Sequence, residues 1–296
     1  MHTDCANSWL AGAFGNYQWL PQRGIYAWAG TDRLLAKICY ARQDPTPTDA
    51  SAAIEHARIA FLRGSRFAPS VYLRCELIPC AAGSGQFCAA AIVMRRLPDN
   101  SRLDRVCAAM GENKIGELIE LLFDYQRRAT ETMALADTTT ESSLDTGDGR
   151  IMNLIDSRLE VKGQSLKRIW EELRRSREPF MDEIRRRDRA GMCRQTHGEL
   201  AADNLYIHEG VVYSLDPCVM SPDLYQLDSA FDWAHLVVTL GSIQSVIAPP
   251  ALIARCASAA GISNGLMDHY AARIALIRVT MRELSRQVIH GNAAAI

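Results

Sequence analysis

The sequence predicts an α+β protein in two parts, a small β-rich first third and a larger, mainly helical remainder. Up to Arg95, short apolar or aromatic runs alternate with turn residues. Beyond Arg95 the apolar residues recur at helical spacing. At about 150 residues per domain, a chain of 296 residues also matches two domains or lobes.

Gly24–Trp28 and Leu34–Tyr40 read as strands around the turn Gly30-Thr31-Asp32, a candidate hairpin. After the Pro/Thr/Asp segment Asp44–Asp49, Thr48 or Asp49 caps a helix running to about Arg66, with Ile54, Ala57, Phe61 and Leu62 at helical spacing. Ala68-Pro69 ends it. Val71–Ile78 and Phe87–Met94 are two further strands joined by Ala81-Ala82-Gly83-Ser84-Gly85, so that two hairpins surround one helix. Gly83-Ser84-Gly85 is a hairpin turn, because Cys88 stands where a dinucleotide loop needs its third glycine.

Ile115 to about Thr130 is an amphipathic helix. Ala136–Gly149, rich in Thr, Ser, Asp and Gly, reads as a mobile surface loop. Leu166, Ile169, Trp170 and Leu173 mark another helix, which Pro179 interrupts. Arg185, Arg186, Arg187 and Arg189 interleave with acids and read as a solvated helix face. From Phe231 onward the chain reads as two or three helices.

Apolar residues make up 48%, enough for a large core and too many for wholesale disorder. Thirty-three basic against thirty-four acidic residues give a net charge of −1, without the basic field of a dedicated nucleic-acid binder. The longest apolar run, Phe87–Met94, is far shorter than the roughly 20 residues that span a bilayer. The start of the chain does not resemble a signal peptide. The nine cysteines form no C-x-x-C, which predicts reduced, mostly buried thiols in a cytoplasmic protein rather than disulfides or zinc.

The chemistry sits in His197-Gly198-Glu199-Leu200-Ala201-Ala202-Asp203-Asn204 and the residues up to Asp216. Leu205–His208 and Val211–Leu215, separated only by Glu209-Gly210, form a tight hairpin. Its open end brings Asn204 and Asp216 side by side, since paired strands lie about 4.8 Å apart. An amide oxygen and a carboxylate there suit Mg²⁺, with water and phosphate completing the shell. Glu199 lies just upstream and can face the same spot. A metal-holding pair plus one free carboxylate is the minimum set for phosphoryl transfer to a hydroxyl.

The order His-Gly-acid-Leu, three residues, Asn, a hairpin and then Asp resembles the catalytic segment of the aminoglycoside phosphotransferase family, within the protein-kinase-like fold. The family's usual form has Asp where this chain has Glu199. Leu227-Asp228-Ser229-Ala230-Phe231-Asp232-Trp233-Ala234 resembles its pair of acids four apart, read here as a cap and a buried anchor for the catalytic loop. Ala68–Leu73 and Val93–Pro98 resemble the kinase-like half of bacterial proteins that often fuse it to a P-loop ATPase; no P-loop occurs in this chain.

The resemblance implies a bilobal fold. Residues 1–98 form a nucleotide-gripping N-lobe, and 99–296 form a helical C-lobe with catalytic and metal-binding loops. Lys37 would hold the nucleotide phosphates, and Arg95 and Leu97 of the hinge would meet the nucleotide. Asn204 and Asp216 would hold the metal, Glu199 would orient the acceptor hydroxyl, and His197 would hold the catalytic loop. Glu55 is the only acid inside the first-third helix, about one turn early for the glutamate that partners the lysine. The implied activity is transfer of the γ-phosphate of ATP, with Mg²⁺, to a small-molecule hydroxyl. The alternative is a degenerate module that binds a nucleotide or a partner protein without turnover. Neither reading involves nucleic acid or a membrane.

Overall fold

The computed structural model describes residues 2–23, 26–40, 47–80, 87–110, 114–158, 161–243 and 249–293. Its contacts divide the chain into two units. The first is Met1–Val106 with Asp203–Val219, and the second is Cys107–Ala202 with Met220–Ile296.

The first unit opens with helix α1 (His2–Phe14), which the sequence reading did not separate from its surroundings. Strands β1 (Gln18–Arg23), β2 (Tyr26–Gly30) and β3 (Leu34–Tyr40) follow, then helix α2 (Pro47–Phe67) and strands β4 (Tyr72–Pro79) and β5 (Phe87–Arg95). The expected pair of hairpins is one antiparallel sheet of order β1-β2-β3-β5-β4, with β3 and β5 joined along their length from Leu34↔Arg95 to Tyr40↔Ala89. The connector Ala81–Gly85 lies outside the described residues.

Period-two alternation gives this sheet two different faces. Ala36, Ile38, Ala89 and Ala91 pack with Ala6 and Leu10 of α1. On the other face Cys39, Ala90, Ile92 and Met94 pack with Ala57 and Ala60 of α2. Small side chains along β5 and α2 let the layers approach closely.

Two further strands belong to this unit by contact, although far along the sequence. They are β7 (Leu205–His208) and β8 (Val211–Ser214), numbered after the short β6 (Cys193–Gln195). They pair from Leu205↔Ser214 to His208↔Val211. Glu209 and Gly210 both have positive φ, 52° and 74°, as a two-residue hairpin turn requires. Tyr206, Tyr213 and Leu215 pack on the α2 face of the sheet.

Helix α3 (Leu103–Ala109) carries the chain into the second unit. There follow α4 (Ile115–Thr132), α5 (Thr140–Arg158), α6 (Val161–Arg175), α7 (Met181–Arg189), strand β9 (Gln226–Asp228) paired with β6, α8 (Ala230–Ile243), α9 (Pro249–Ala260) and α10 (Asn264–Ala293). Ile151, Ile155 and the fully buried Trp170 form one core with Leu166, Leu276 and Ile277. Pro179 sits in a 3₁₀ turn between α6 and α7, where its missing N–H costs nothing.

Two expectations need correction here. The stretch read as a mobile loop, Ala136–Gly149, is helical from Thr140 onward. The Thr140 N–H donates to both carboxylate oxygens of Asp188, at 3.1 Å each, while Thr139 Oγ1 accepts the Ser142 N–H at 3.2 Å, so this helix start is satisfied by a distant carboxylate and a local cap together. Its inward face includes Asp148, paired with Arg273 at 3.0 Å. A Cβ on Gly147 would lie 3.1 Å from Nη2 of that arginine, so the glycine makes room for it. Nor is the Arg185–Arg189 run wholly a solvated face. Arg187 is buried and clasps Asp228 with two bonds of 2.6 and 2.8 Å.

Among the described residues, no helix is long and apolar enough to cross a membrane. No described cysteine is in a disulfide; Cys39, Cys107, Cys193, Cys218 and Cys256 are buried. Burial pushes the Cys39 thiol up to about 12, against the opposing pull of Lys37. Cys193 is pushed up to about 11 and Cys256 to about 12, again chiefly by burial. These thiols are protonated and unreactive at neutral pH.

Candidate active site

In the first unit a cavity of about 230 Å³ lies beside the sheet. Leu20, Trp28, Leu35 and Leu215 supply apolar walls, Met94–Leu97 one rim, and Asp203, Asn204 and Asp216 a cluster of oxygens. The hairpin register explains the cluster. The Leu215 N–H donates to the Asn204 carbonyl at 2.8 Å, extending the β7–β8 pairing and setting Asp216 next to Asn204. Of the residues expected to hold a nucleotide and metal, Arg95, Leu97, Asn204 and Asp216 all line this one cavity. The Arg95 amide is committed to the Val71 carbonyl at 2.8 Å, so Arg95 meets the cavity through its other atoms.

Lys37 joins them through its partner. Its ammonium lies 2.7 Å from Asp216 Oδ1, with side chains 7% and 31% exposed. An ammonium this buried needs a counter-charge. The Trp28 ring lies 5.5 Å from the same nitrogen. Glu55 is exposed, pointing to Arg58 at 3.9 Å. The neighbouring His56 is half-buried instead, and burial first, then the Lys37 charge, holds its imidazole below its usual range.

In the second unit the segment His197–Ala202 is fixed by one face of α8. Buried Asp232 accepts from the His197 N–H at 2.7 Å and the Gly198 N–H at 2.9 Å. Thr239 donates to the Leu200 carbonyl at 2.5 Å, and Arg278 of α10 donates to Thr239 at 2.9 Å. His235 hydrogen-bonds the Gly198 backbone; its pKa is lowered to about 3 by burial first and then by Arg278 and Arg273. Asp232, His235 and Thr239 stand at i, i+3 and i+7, one helix face. Gly198 has φ 77°, which glycine adopts without strain.

His197 is fully buried, and its Nδ1 accepts from the Glu199 N–H at 3.3 Å. The ring therefore holds backbone. Glu199 itself is exposed. Asp228 caps α8 through the Ala230 N–H at 2.9 Å while Asp232 anchors the loop, the division of labour that their spacing predicts.

Several residues of these sites escaped the sequence reading. Trp28 and Asp203 line the cavity, Tyr72 and Arg63 grip the turn after β8, and His235 and Thr239 hold the loop. The helical spacing from Asp232 could have pointed to the last two. No local signal marks Arg63.

No protein-family profile matches the sequence, and no curated protein matches it. Solved structures do. Aminoglycoside phosphotransferase APH(2'')-Ib with ADP bound aligns at TM-score 0.53 and 8% identity, covering 97% of each chain. The chain has the protein-kinase-like fold. A thermostable mutant of aminoglycoside phosphotransferase APH(4)-Ia, in complex with ADP and hygromycin B, aligns at 0.52 and 12% identity over 97% of this chain and 92% of that one. The amicoumacin kinase hAmiN, with AMP-PNP and Ca²⁺, aligns at 0.51 and 12% over 97% and 94%. With the kinase-like fold assigned, the β1–β5 sheet with α2 corresponds to its β-rich part and the helices from α4 onward to its helical part.

Proposed function

We propose that this chain is a phosphotransferase that moves the γ-phosphate of ATP to a hydroxyl of a small molecule, with Mg²⁺, in the cytoplasm. The observation that carries the reading is the convergence of Asn204, Asp216 and Lys37 beside an apolar slot. In this reading residues 1–98 grip the nucleotide, and residues 99–296 supply the catalytic and metal-binding loops. Described cysteines that are in no disulfide, five of them buried, support a reducing compartment.

The donor set fits the metal. No group of three or more His, Cys, Asp or Glu able to hold a metal occurs among the described residues, so a softer ion has no cage. Mg²⁺ binds through one or two side chains and takes the rest of its octahedron from water and phosphate. Asn204 and Asp216 would hold it, and it supplies neutralisation of charge on the phosphate oxygens. Lys37 releases Asp216 to turn its charge toward the phosphates. Leu97, Arg95 and the apolar walls take up the base. Glu199 accepts a hydrogen bond from the acceptor hydroxyl and aligns it, while His197 keeps the loop backbone in place.

One variant tests the reading. Asp216→Asn should remove the part of ATP affinity that depends on Mg²⁺; it also strips the buried Lys37 of its counter-charge, so the thermal midpoint should fall, and the titration is run where circular dichroism shows the variant folded. Calorimetric titration of ATP with and without Mg²⁺ reads it out. Equal Mg·ATP affinity in parent and variant would overturn the metal assignment. The second reading, a binder without turnover, is favoured by Glu199 in place of Asp and by the outward Glu55. Mg·ATP binding with no phosphate transfer to any hydroxyl acceptor would select it.

A further inference from the structure

We propose that Tyr72 is a positioning residue for Asp216: its phenol oxygen accepts the Asp216 N–H and fixes the backbone that aims the metal-side carboxylate. The inference rests on the reading of Asp216 as a metal ligand. It also gives a task to the Ala68–Leu73 motif, which the proposed chemistry otherwise leaves without one.

Tyr72 opens β4 and is 4% exposed. The Asp216 N–H points at its hydroxyl oxygen, 2.9 Å away, and the same oxygen lies 3.5 Å from Asp216 Oδ1. Asp216 has φ 54°, a left-handed conformation that costs a non-glycine residue roughly 1 kcal/mol or more and persists only where the surroundings enforce it. The surroundings here are specific. Two residues after Asp216, the buried Arg63 of α2 donates from Nε to the Cys218 carbonyl at 2.9 Å. Arg63 and Tyr72 thus hold the turn by backbone atoms on either side of the carboxylate.

The ring has a built seat. A Cβ on Gly64 would lie 2.3 Å from two ring atoms of Tyr72, so only glycine at that point of α2 admits the ring. Where α2 would be expected to offer Lys37 an acid, its last turns serve the turn that carries Asp216. Lys37 and Tyr72 then meet at the same carboxylate, one from β3 by charge and one from β4 by geometry.

The test is Tyr72→Phe in the full chain, which keeps the ring in its seat and deletes the acceptor. ATP is titrated calorimetrically with and without Mg²⁺, and circular dichroism follows the thermal midpoint. Losing one such hydrogen bond is expected to cut the Mg²⁺-dependent gain in ATP affinity about tenfold. Metal-free ATP affinity should stay within about twofold, since no nucleotide contact is removed. A variant that keeps the parent's Mg²⁺-dependent gain overturns the inference. So does one that unfolds or loses metal-free binding in equal measure, because the hydroxyl would then serve the fold as a whole. A parent without any Mg²⁺-dependent gain is a different result, and overturns the metal reading itself.

Discussion

The turn that carries Asp216 and the loop that carries Glu199 solve one problem in opposite ways. Each carries a carboxylate, and each contains a residue with positive φ. In the loop the left-handed residue is Gly198, so the backbone is relaxed and the carboxylate comes one residue later. At the turn the left-handed residue is Asp216 itself. The loop is held by three side chains of one helix, Asp232, His235 and Thr239. The turn is held by Tyr72 and Arg63 from two different elements, with Lys37 on the carboxylate. The side chain of Glu199 is exposed, and that of Asp216 is paired with Lys37.

The largest expected effect comes from cutting the loop's main anchor. Asp232→Ala leaves one buried N–H group, that of His197, and one half-buried, that of Gly198, without their acceptor. At about 1–3 kcal/mol per buried unsatisfied group, the loss should reach about 4 kcal/mol in a denaturant titration. A loss below about 1 kcal/mol would show that the loop is not held from α8.

A smaller effect separates the two regions by pH. Folding lowers the His235 pKa from 6.5 to about 3, so the native state refuses a proton that the unfolded chain accepts. Its contribution to stability is complete above about pH 6.5 and is lost as pH falls toward 3, at up to about 1.4 kcal/mol per pH unit. Unfolding free energies of the parent and of His235→Gln, measured from pH 7 to pH 4, should diverge in slope by one proton. Parallel slopes would mean that His235 is not buried neutral beside Gly198.

The smallest effect on stability, with the largest on chemistry, belongs to Glu199. Its side chain is exposed, so Glu199→Gln should shift stability by less than about 0.5 kcal/mol. If the chain transfers phosphate, the same variant should abolish turnover while ATP affinity persists. Unchanged turnover would remove Glu199 from the reaction.

What the sequence revealed is what is local in it. The β7–β8 hairpin, and with it the pairing of Asn204 and Asp216, follows from a two-residue turn between alternating runs. The roles of Asp228 and Asp232 follow from their spacing at a helix start. What escaped depends on partners far along the chain. The start of α5 looks like a loop because its first N–H is met by the distant Asp188 and its inward face holds Asp148, paired with Arg273. Arg187 looks like surface because its carboxylate is Asp228, on the strand that precedes α8. Tyr72 looks like an ordinary strand residue until the Asp216 amide meets it, 144 positions away. Helix α1, which packs Ala6 and Leu10 with Cys5, Trp9 and Phe14 beside them against the back of the sheet, also escaped.

The first unit is also discontinuous, and that has a consequence for how the protein is made. When the chain has been synthesised as far as Val106, the β1–β5 sheet and α2 can assemble, but the apolar α2 face still lacks Tyr206, Tyr213, Leu215 and Val219. Those residues emerge roughly 110 positions later, about 5–20 s at ordinary rates of translation. Throughout that interval the nascent N-terminal part carries an uncovered greasy flank and a buried-to-be lysine without its carboxylate. The hairpin that completes the cavity is thus also the clasp that ends this exposure, and the greatest aggregation risk falls before that hairpin has been translated.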